Sequence, residues 1–397
     1  MTTPLAGITV LDFGQIYQGP YATFLMAKAG ADVIKIEPPG GEPLRRRVIA
    51  QGGETTLPIA MLNANKRAVT LNLKSPRGRE LLRQMVARAD VLLENFSPGT
   101  MDKFGVGYED LRKVNPRLVY ASGTGFGLSG PDRDNLAMDF TIQAASGIMS
   151  VTGMPDGPPM KAGPTLVDFM GGIHLYAGVM TALFQRDRTG EGQLVEVAMQ
   201  EAVYPTLASS YDYHLRTGKV PPRAGNRQAG MSQAPYNTFP TQDGWVAIHV
   251  VTEEHWANLL KAMGREELLQ DPRFTNHAAR AANVPATEAV VIEWTTAQTK
   301  AAVVAAAKRY KIPCAPVRDA VEVMNDPHMH SRGMLERIQH PALGEIVVPG
   351  SPLRLHGADR VPAIPSPALG QHNGEVYGGW LGLGAEEVAA LKADGAI

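Results

Sequence analysis

The chain has 397 residues, more than one domain usually holds, and is 44% hydrophobic against 19% charged, the balance of a folded globular protein. A formal net charge of -1 provides no concentrated positive field, so neither nucleic acid nor an anionic membrane surface is an expected partner. One cysteine, Cys314, excludes an intrachain disulfide and a cysteine-based metal cage and fits a reducing compartment.

Residues 1–7 lack the basic segment and apolar run of a secretory signal. The longest apolar stretches, such as 173–184, fall short of the roughly 20 residues that span a bilayer. A cytoplasmic location is expected.

Short β-branched runs alternate with helical stretches through the first half. Residues 8–13 (ITVLDF) read as a buried strand, Pro20 suits the first turn of a helix running to residue 29, and 31–37 (ADVIKIE) is the next strand. A strand at 68–73, a helix opened by Pro76 and running to residue 88, and strands at 91–96 (VLLENF) and 118–122 (LVYAS) repeat the pattern. Strands apolar on both faces and separated by helices imply an α/β fold with a parallel sheet covered on both sides. Ligands of such sheets bind where the strands end, so the loops after Phe13, Glu37, Phe96 and Ser122 are the places to search.

A helix over about 169–186 precedes a strand at 194–198. Residues 211–232, rich in Gly, Pro and Arg, read as a linker. Residues 236–250 suggest a hairpin turning at Asp243 and Gly244, followed by alanine-rich helices. The expected organisation is a large α/β domain over 1–210, the linker 211–232, a small domain over 233–325, and a second linker with a returning C-terminal segment over 326–397.

Gly123, Gly125 and Gly127 follow a strand, but their spacing lacks the dinucleotide fingerprint, and Gly130-Pro131 opposes an immediate helix. The histidines form no metal-binding spacing, and His328 and His330 read as a surface loop. Cys314 sits between two prolines in an apolar run and reads as a buried structural thiol.

Asp168 stands just ahead of an apolar helix and three residues before Gly171-Gly172. A helix cap explains an aspartate there. So does a nucleophilic carboxylate, kept ionised by the helix amides and left accessible by the glycines. The two readings stand side by side on position alone.

Several segments together resemble the class III CoA-transferases, the formyl-CoA transferase and carnitine CoA-transferase (CaiB/BaiF) family. They are residues 4–13 with Gly19-Pro20, 27–40 (AKAGADVIKIEPPG), 63–73 (NANKRAVTLNL), 90–99 (DVLLENFSPG), 115–127, 165–175, 188–199, 235–248 and 312–317. The resemblance implies an open Rossmann-like large domain, a smaller α+β domain, and two chains interlocked as a homodimer. It places the catalytic aspartate on Asp168 and implies CoA transfer from an acyl-CoA thioester to a free carboxylic acid. The intermediates implied are an aspartyl anhydride and an aspartyl-CoA thioester, with coenzyme A as substrate and no permanently bound cofactor or metal.

Each step passes through an oxyanion, where one preorganised donor is worth about 3–4 kcal/mol. In the formyl-CoA transferase subgroup a glutamine fills the position held here by Tyr17, a departure that argues against oxalate or formyl specificity, and the role is expected to fall to Gln18 or Gln15, or to the amides of this loop. The resemblance further implies coenzyme contacts at Ile16, Tyr17, Pro38, Asn72, Lys74, Asn95, Phe96, Lys103 and Asp139. Arg45, Arg46 and Arg47 suggest an acceptor with a second carboxylate, such as succinate, or equally a solvated patch or contacts to the CoA phosphates. An α-methylacyl-CoA racemase is the alternative activity, but its histidine position is filled by Met138, and His174 faces away from Asp168 on a regular helix. A non-catalytic acyl-CoA binding protein is the third reading, disfavoured by retention of Asp168 and its glycines.

Overall fold

The computed structural model describes residues 3–49, 52–53, 55–230 and 232–397. Six strands form one sheet: β1 (Thr9–Asp12), β2 (Asp32–Glu37), β3 (Arg67–Thr70), β4 (Val91–Glu94), β5 (Val119–Thr124) and β6 (Leu194–Ala198). Their spatial order is β3-β2-β1-β4-β5-β6, and every neighbouring pair is parallel. The chain winds outward from β1, then returns beside it with β4 and winds outward the other way. Loops leaving β1 and β4 diverge at that reversal, which makes their carboxyl ends the natural ligand crevice.

Three helices bear on the site: α1 (Gln18–Lys28), α2 (Asp139–Ala145) and α3 (Leu166–Thr189). Side chains alternate across each strand, giving the sheet two apolar faces. Val10, Val33, Val91, Leu93, Val119 and Ala121 pack on Ala22 and Met26 of α1 and on Leu175, Val179 and Leu183 of α3. Leu11, Ile34, Val69, Leu92 and Tyr120 face Leu81, Leu82 and Met85 of helix Pro76–Val86, together with Val376, Tyr377, Leu391 and Ile397. Burying each such leucine or valine contributes about 1.5–3 kcal/mol, so both covers hold the sheet as a firm platform. By length and composition α3 could cross a bilayer, but one of its faces lies in this core.

The chain forms two compact units, one of Met1–Ser146, Pro164–Pro205 and Asp326–Ile397, the other of Gly147–Gly163 and Thr206–Asn325. Residues 147–163 therefore group with the second unit, although their place in the sequence lies inside the expected large domain. The second unit contains the hairpin β7 (Tyr236–Thr241) and β8 (Gly244–His249), joined by β9 (Cys314–Pro316). Phe239, Val246, Ile248, Trp256, Leu260, Phe274 and Val291 form its core. Burial pushes the Cys314 thiol up to about 11, so little thiolate exists near neutrality and the cysteine is chemically quiet.

Several readings of the sequence are corrected. Helix α3 begins at Leu166 rather than Phe169, which places Asp168 inside its first turn. Residues 211–217 of the expected linker belong to a helix, Ala208–Thr217, which ends where Gly218 takes a left-handed φ of +67°. His328 and His330 lie in a short helix, Pro327–Ser331, because Asp326 caps it by accepting the His328 N–H.

Candidate active site

Beyond Asp12 the chain turns through residues 13–17 and enters α1 at Gln18, which is 2% exposed. The Gln18 carboxamide lies between the end of β5 and the first turns of α3. A methyl group on Gly123 would stand 2.8 Å from its Oε1, and one on Gly171 would stand 2.8 Å from its Nε2. Glycine at both positions is what admits the amide. Gln18 Nε2 finds no hydrogen-bond partner among the described residues. A buried donor left unpaired costs about 1–3 kcal/mol, which a ligand oxygen placed there would remove.

Asp168, the third residue of α3, is 8% exposed. It does not cap its helix. The cap position belongs to Thr165, whose side chain makes no capping bond. Asp139, on α2, does the capping from another part of the chain: its Oδ1 accepts the N–H groups of Val167 at 2.8 Å and of Asp168 at 3.2 Å. Its Oδ2 accepts from Nε2 of the fully buried Gln143 at 2.6 Å. This supplied acceptor explains the early start of α3.

The same contact corrects the expectation that helix amides keep Asp168 ionised. The nearest amides serve Asp139 instead. Burial first, and the charge of Asp139 second, push the Asp168 carboxyl from its ordinary 3.8 up to about 7. The result is a carboxylate more basic than usual, with the unpaired Gln18 amide lying one helical turn along the same face.

The other expected site residues occupy the carboxyl edge of the sheet but do various jobs. Gln15 exchanges backbone bonds with the Asn95 side chain, donating to its Oδ1 at 2.7 Å and accepting from its Nδ2 at 3.0 Å, so Asn95 bridges the two diverging loops. Ile16 holds a left-handed φ of +64°, and Tyr17 sets its ring 6.0 Å from that of Phe169, the neighbour of Asp168. Pro38, just beyond β2, Lys74, in the turn after β3, and Lys103, at the end of the short helix Thr100–Lys103 that follows β4, are exposed. Asn72 donates to the Gly395 carbonyl at 2.9 Å, and Phe96 packs edge-on against Phe13. Asp139, expected at the coenzyme, has both oxygens engaged by α3 and Gln143.

Arg45 was expected to face a substrate carboxylate; instead it is buried and grips Glu37, while Arg46 and Arg47 are exposed. His174 lies on the exposed side of α3 and bonds to the Met170 carbonyl, away from the buried Asp168. Gln143 escaped the sequence reading. Its four-residue spacing from Asp139 on a helix is the signal that pairs them. A cavity of about 240 Å³ beside Lys28, Tyr176 and Arg354 contains none of these groups, so chemistry and not volume locates the site.

Asp168 is a buried carboxylate of raised basicity, and Gln18 Nε2, packed against Gly171 one turn further along α3, has no partner among the described residues; groups of these kinds suit acyl transfer. The chain belongs to CoA-transferase family III, whose sequence profile matches residues 5–373. It is 38% identical to a formyl-CoA:oxalate CoA-transferase of Streptomyces avermitilis, with 100% of each chain covered. It is 35% identical to a succinyl-CoA–D-citramalate CoA-transferase of Chloroflexus aurantiacus over 98% of this chain and 97% of that one. Among solved structures, a CaiB/BaiF family protein from Brucella suis superposes with a TM-score of 0.84 at 34% identity, covering 96% of this chain and 100% of that one.

Proposed function

We propose that the chain moves coenzyme A between carboxylic acids with Asp168 as the covalent carrier. The observation that carries this reading is the Asp168 carboxylate itself: buried, relieved of capping by Asp139, and shifted toward neutrality. An Asp168 oxygen attacks the thioester carbonyl, the carbon–sulfur bond breaks, and a mixed anhydride and CoA thiolate form. The thiolate attacks the aspartyl carbonyl, releasing the donor acid and leaving an aspartyl-CoA thioester. The acceptor carboxylate then displaces the thiolate to form a second anhydride, and the thiolate attacks the acceptor's carbonyl, freeing Asp168. One thioester replaces another throughout.

Raised basicity makes Asp168 a better nucleophile and a slower leaving group, and burial shields the anhydride from water. Each tetrahedral step develops an oxyanion, for which the unpaired Gln18 Nε2–H is the assigned donor. The names of the relatives support small dicarboxylic acids such as oxalate or citramalate as acceptors. Arg45 gives no support to that class, since Glu37 occupies it. An interlocked homodimer belongs to the same proposal. Leu136, Leu215 and Val220, exposed by 85%, 82% and 83%, are side chains a second copy would cover, and light scattering tests this.

Incubation with a panel of acyl-CoA thioesters, rapid quenching and peptide mass spectrometry tests the mechanism. An acyl or CoA adduct on Asp168 supports it and reveals the donor. Absence of any adduct from a folded protein, with solvent deuterium entering the α-carbon of a branched acyl-CoA, would overturn it in favour of racemisation.

A further inference from the structure

Beneath the turn that presents Gln18 lie six charged side chains, Asp12, Lys35, Glu37, Glu42, Arg45 and Lys66, all between 0% and 4% exposed. Three are acidic and three basic, so the group is neutral in sum. Lys66 Nζ meets Asp12 Oδ2 at 2.9 Å. Arg45 grips both oxygens of Glu37, Nε to Oε2 at 3.0 Å and Nη2 to Oε1 at 3.0 Å. The Glu42 N–H donates to Glu37 Oε2, also at 3.0 Å. The charge of Lys35 acts on Asp12 and that of Glu42 on Lys66, which ties the pairs into one network.

Well-packed apolar residues would stabilise a core as well as buried ion pairs do, so stability alone does not account for such a group. Its remaining hydrogen bonds do. Asp12 Oδ1 accepts the Gly14 N–H at 2.8 Å, and Lys35 Nζ donates to the Gly14 carbonyl. Glu42 Oε2 accepts the Ile16 N–H at 3.2 Å, and Lys66 Nζ donates to the Pro20 carbonyl at 3.1 Å. With Asn95 holding both backbone groups of Gln15, the turn between β1 and α1 is fastened by side chains residue after residue. That grip sustains Ile16, a β-branched residue in the left-handed region, where backbone strain persists only if the surroundings over-determine it.

We propose that this six-charge network is a positioning device for the transfer reaction, fixing the 14–17 turn so that the Gln18 carboxamide stays unpaired where the oxyanion develops. The proposal rests on the role given above to Gln18. A donor stabilises a transition state only if it is already aimed there and has not paired elsewhere in the ground state. None of the six touches substrate in this scheme. They act through Gln18, so loosening the turn lowers kcat and leaves KM for the thioester in place.

Steady-state kinetics of the full chain test this with Glu42→Met, Glu42→Gln and Lys35→Met, each alone and combined with Gln18→Ala. Glu42→Met removes the acceptor of the Ile16 N–H and is expected to lower kcat about 10–100-fold, with KM within about threefold. Glu42→Gln retains an acceptor oxygen and should recover most of that loss. In the Gln18→Ala background, Glu42→Met should cost less than about threefold more, because the two act as one unit. An equal loss in both backgrounds, a loss confined to KM, or no loss overturns the proposal. If Gln18→Ala keeps the wild-type kcat, the reading of Gln18 fails and the network proposal fails with it. Lys35→Met releases the Gly14 carbonyl from the other side of the turn, so the test stands even if Glu42→Met does not fold by circular dichroism.

Discussion

Asp12, at the end of β1, and Asp168, in the first turn of α3, are both buried carboxylates at the carboxyl edge of one sheet, and their surroundings differ in sign. Burial alone would raise Asp12, but Lys66 and Lys35, with the Thr23 hydroxyl, outweigh it and hold the carboxyl below its ordinary value. Asp168 has no cation beside it among the described residues and a second carboxylate, Asp139, close by, and it is pushed up to about 7. A carboxylate committed to cations and backbone is scaffolding. One left buried and unpartnered is available to react.

The most severe test of the contrast is Asp168→Asn, which should lower exchange by at least about 10⁴-fold, read by chromatography of the CoA esters. Retained activity would remove the covalent carrier. The same pair of sites should respond oppositely in stability. Asp12→Ala strands two buried ammonium groups and should cost about 3–5 kcal/mol in urea unfolding at pH 7.

Asp168→Asn should instead stabilise. The folded-state value of Asp168 lies above its ordinary 3.8, so the fold loses stability as pH rises from there through about 7. The substitution should therefore add about 4 kcal/mol at pH 8 and little at pH 4. If both variants destabilise equally at pH 8, the two aspartates are not different in kind.

Smaller effects refine the picture. The kcat of the wild type should fall as pH drops below about 7, because Asp168 takes up a proton. Asp139→Asn, by removing the neighbouring charge, should move that midpoint down by about one unit. Gly171→Ala brings a methyl group 2.8 Å from Gln18 Nε2 and should lower kcat about tenfold in a chain that still folds.

Much of the scaffold could be read from the sequence because it is written locally. The strand Leu194–Ala198, the hairpin strands beginning at Tyr236 and Gly244, and the helix opening at Pro76 follow from β-branched runs, a turn dipeptide and an N-terminal proline. Asp168 also stood out locally, by its place before Gly171-Gly172. What it does for its helix did not, because the capping carboxylate lies 29 residues earlier in the chain. Arg45 looked like one of three similar arginines, yet burial against Glu37 separates it from Arg46 and Arg47, and no periodicity in so short a run reveals that. The charged network under the Gln18 turn joins residues as far as 54 positions apart, where pattern reading has no reach.

The first unit is assembled from three separate stretches, and one face of its sheet is completed by Val376, Tyr377, Leu391 and Ile397. The strands of the second unit, by contrast, are complete once residue 316 has been made. On a ribosome the order of release therefore inverts the order of the sequence. The part begun first is finished last, and its exposed apolar sheet face must wait through the synthesis of an entire intervening unit, which makes the nascent first unit the aggregation-prone stage of biogenesis.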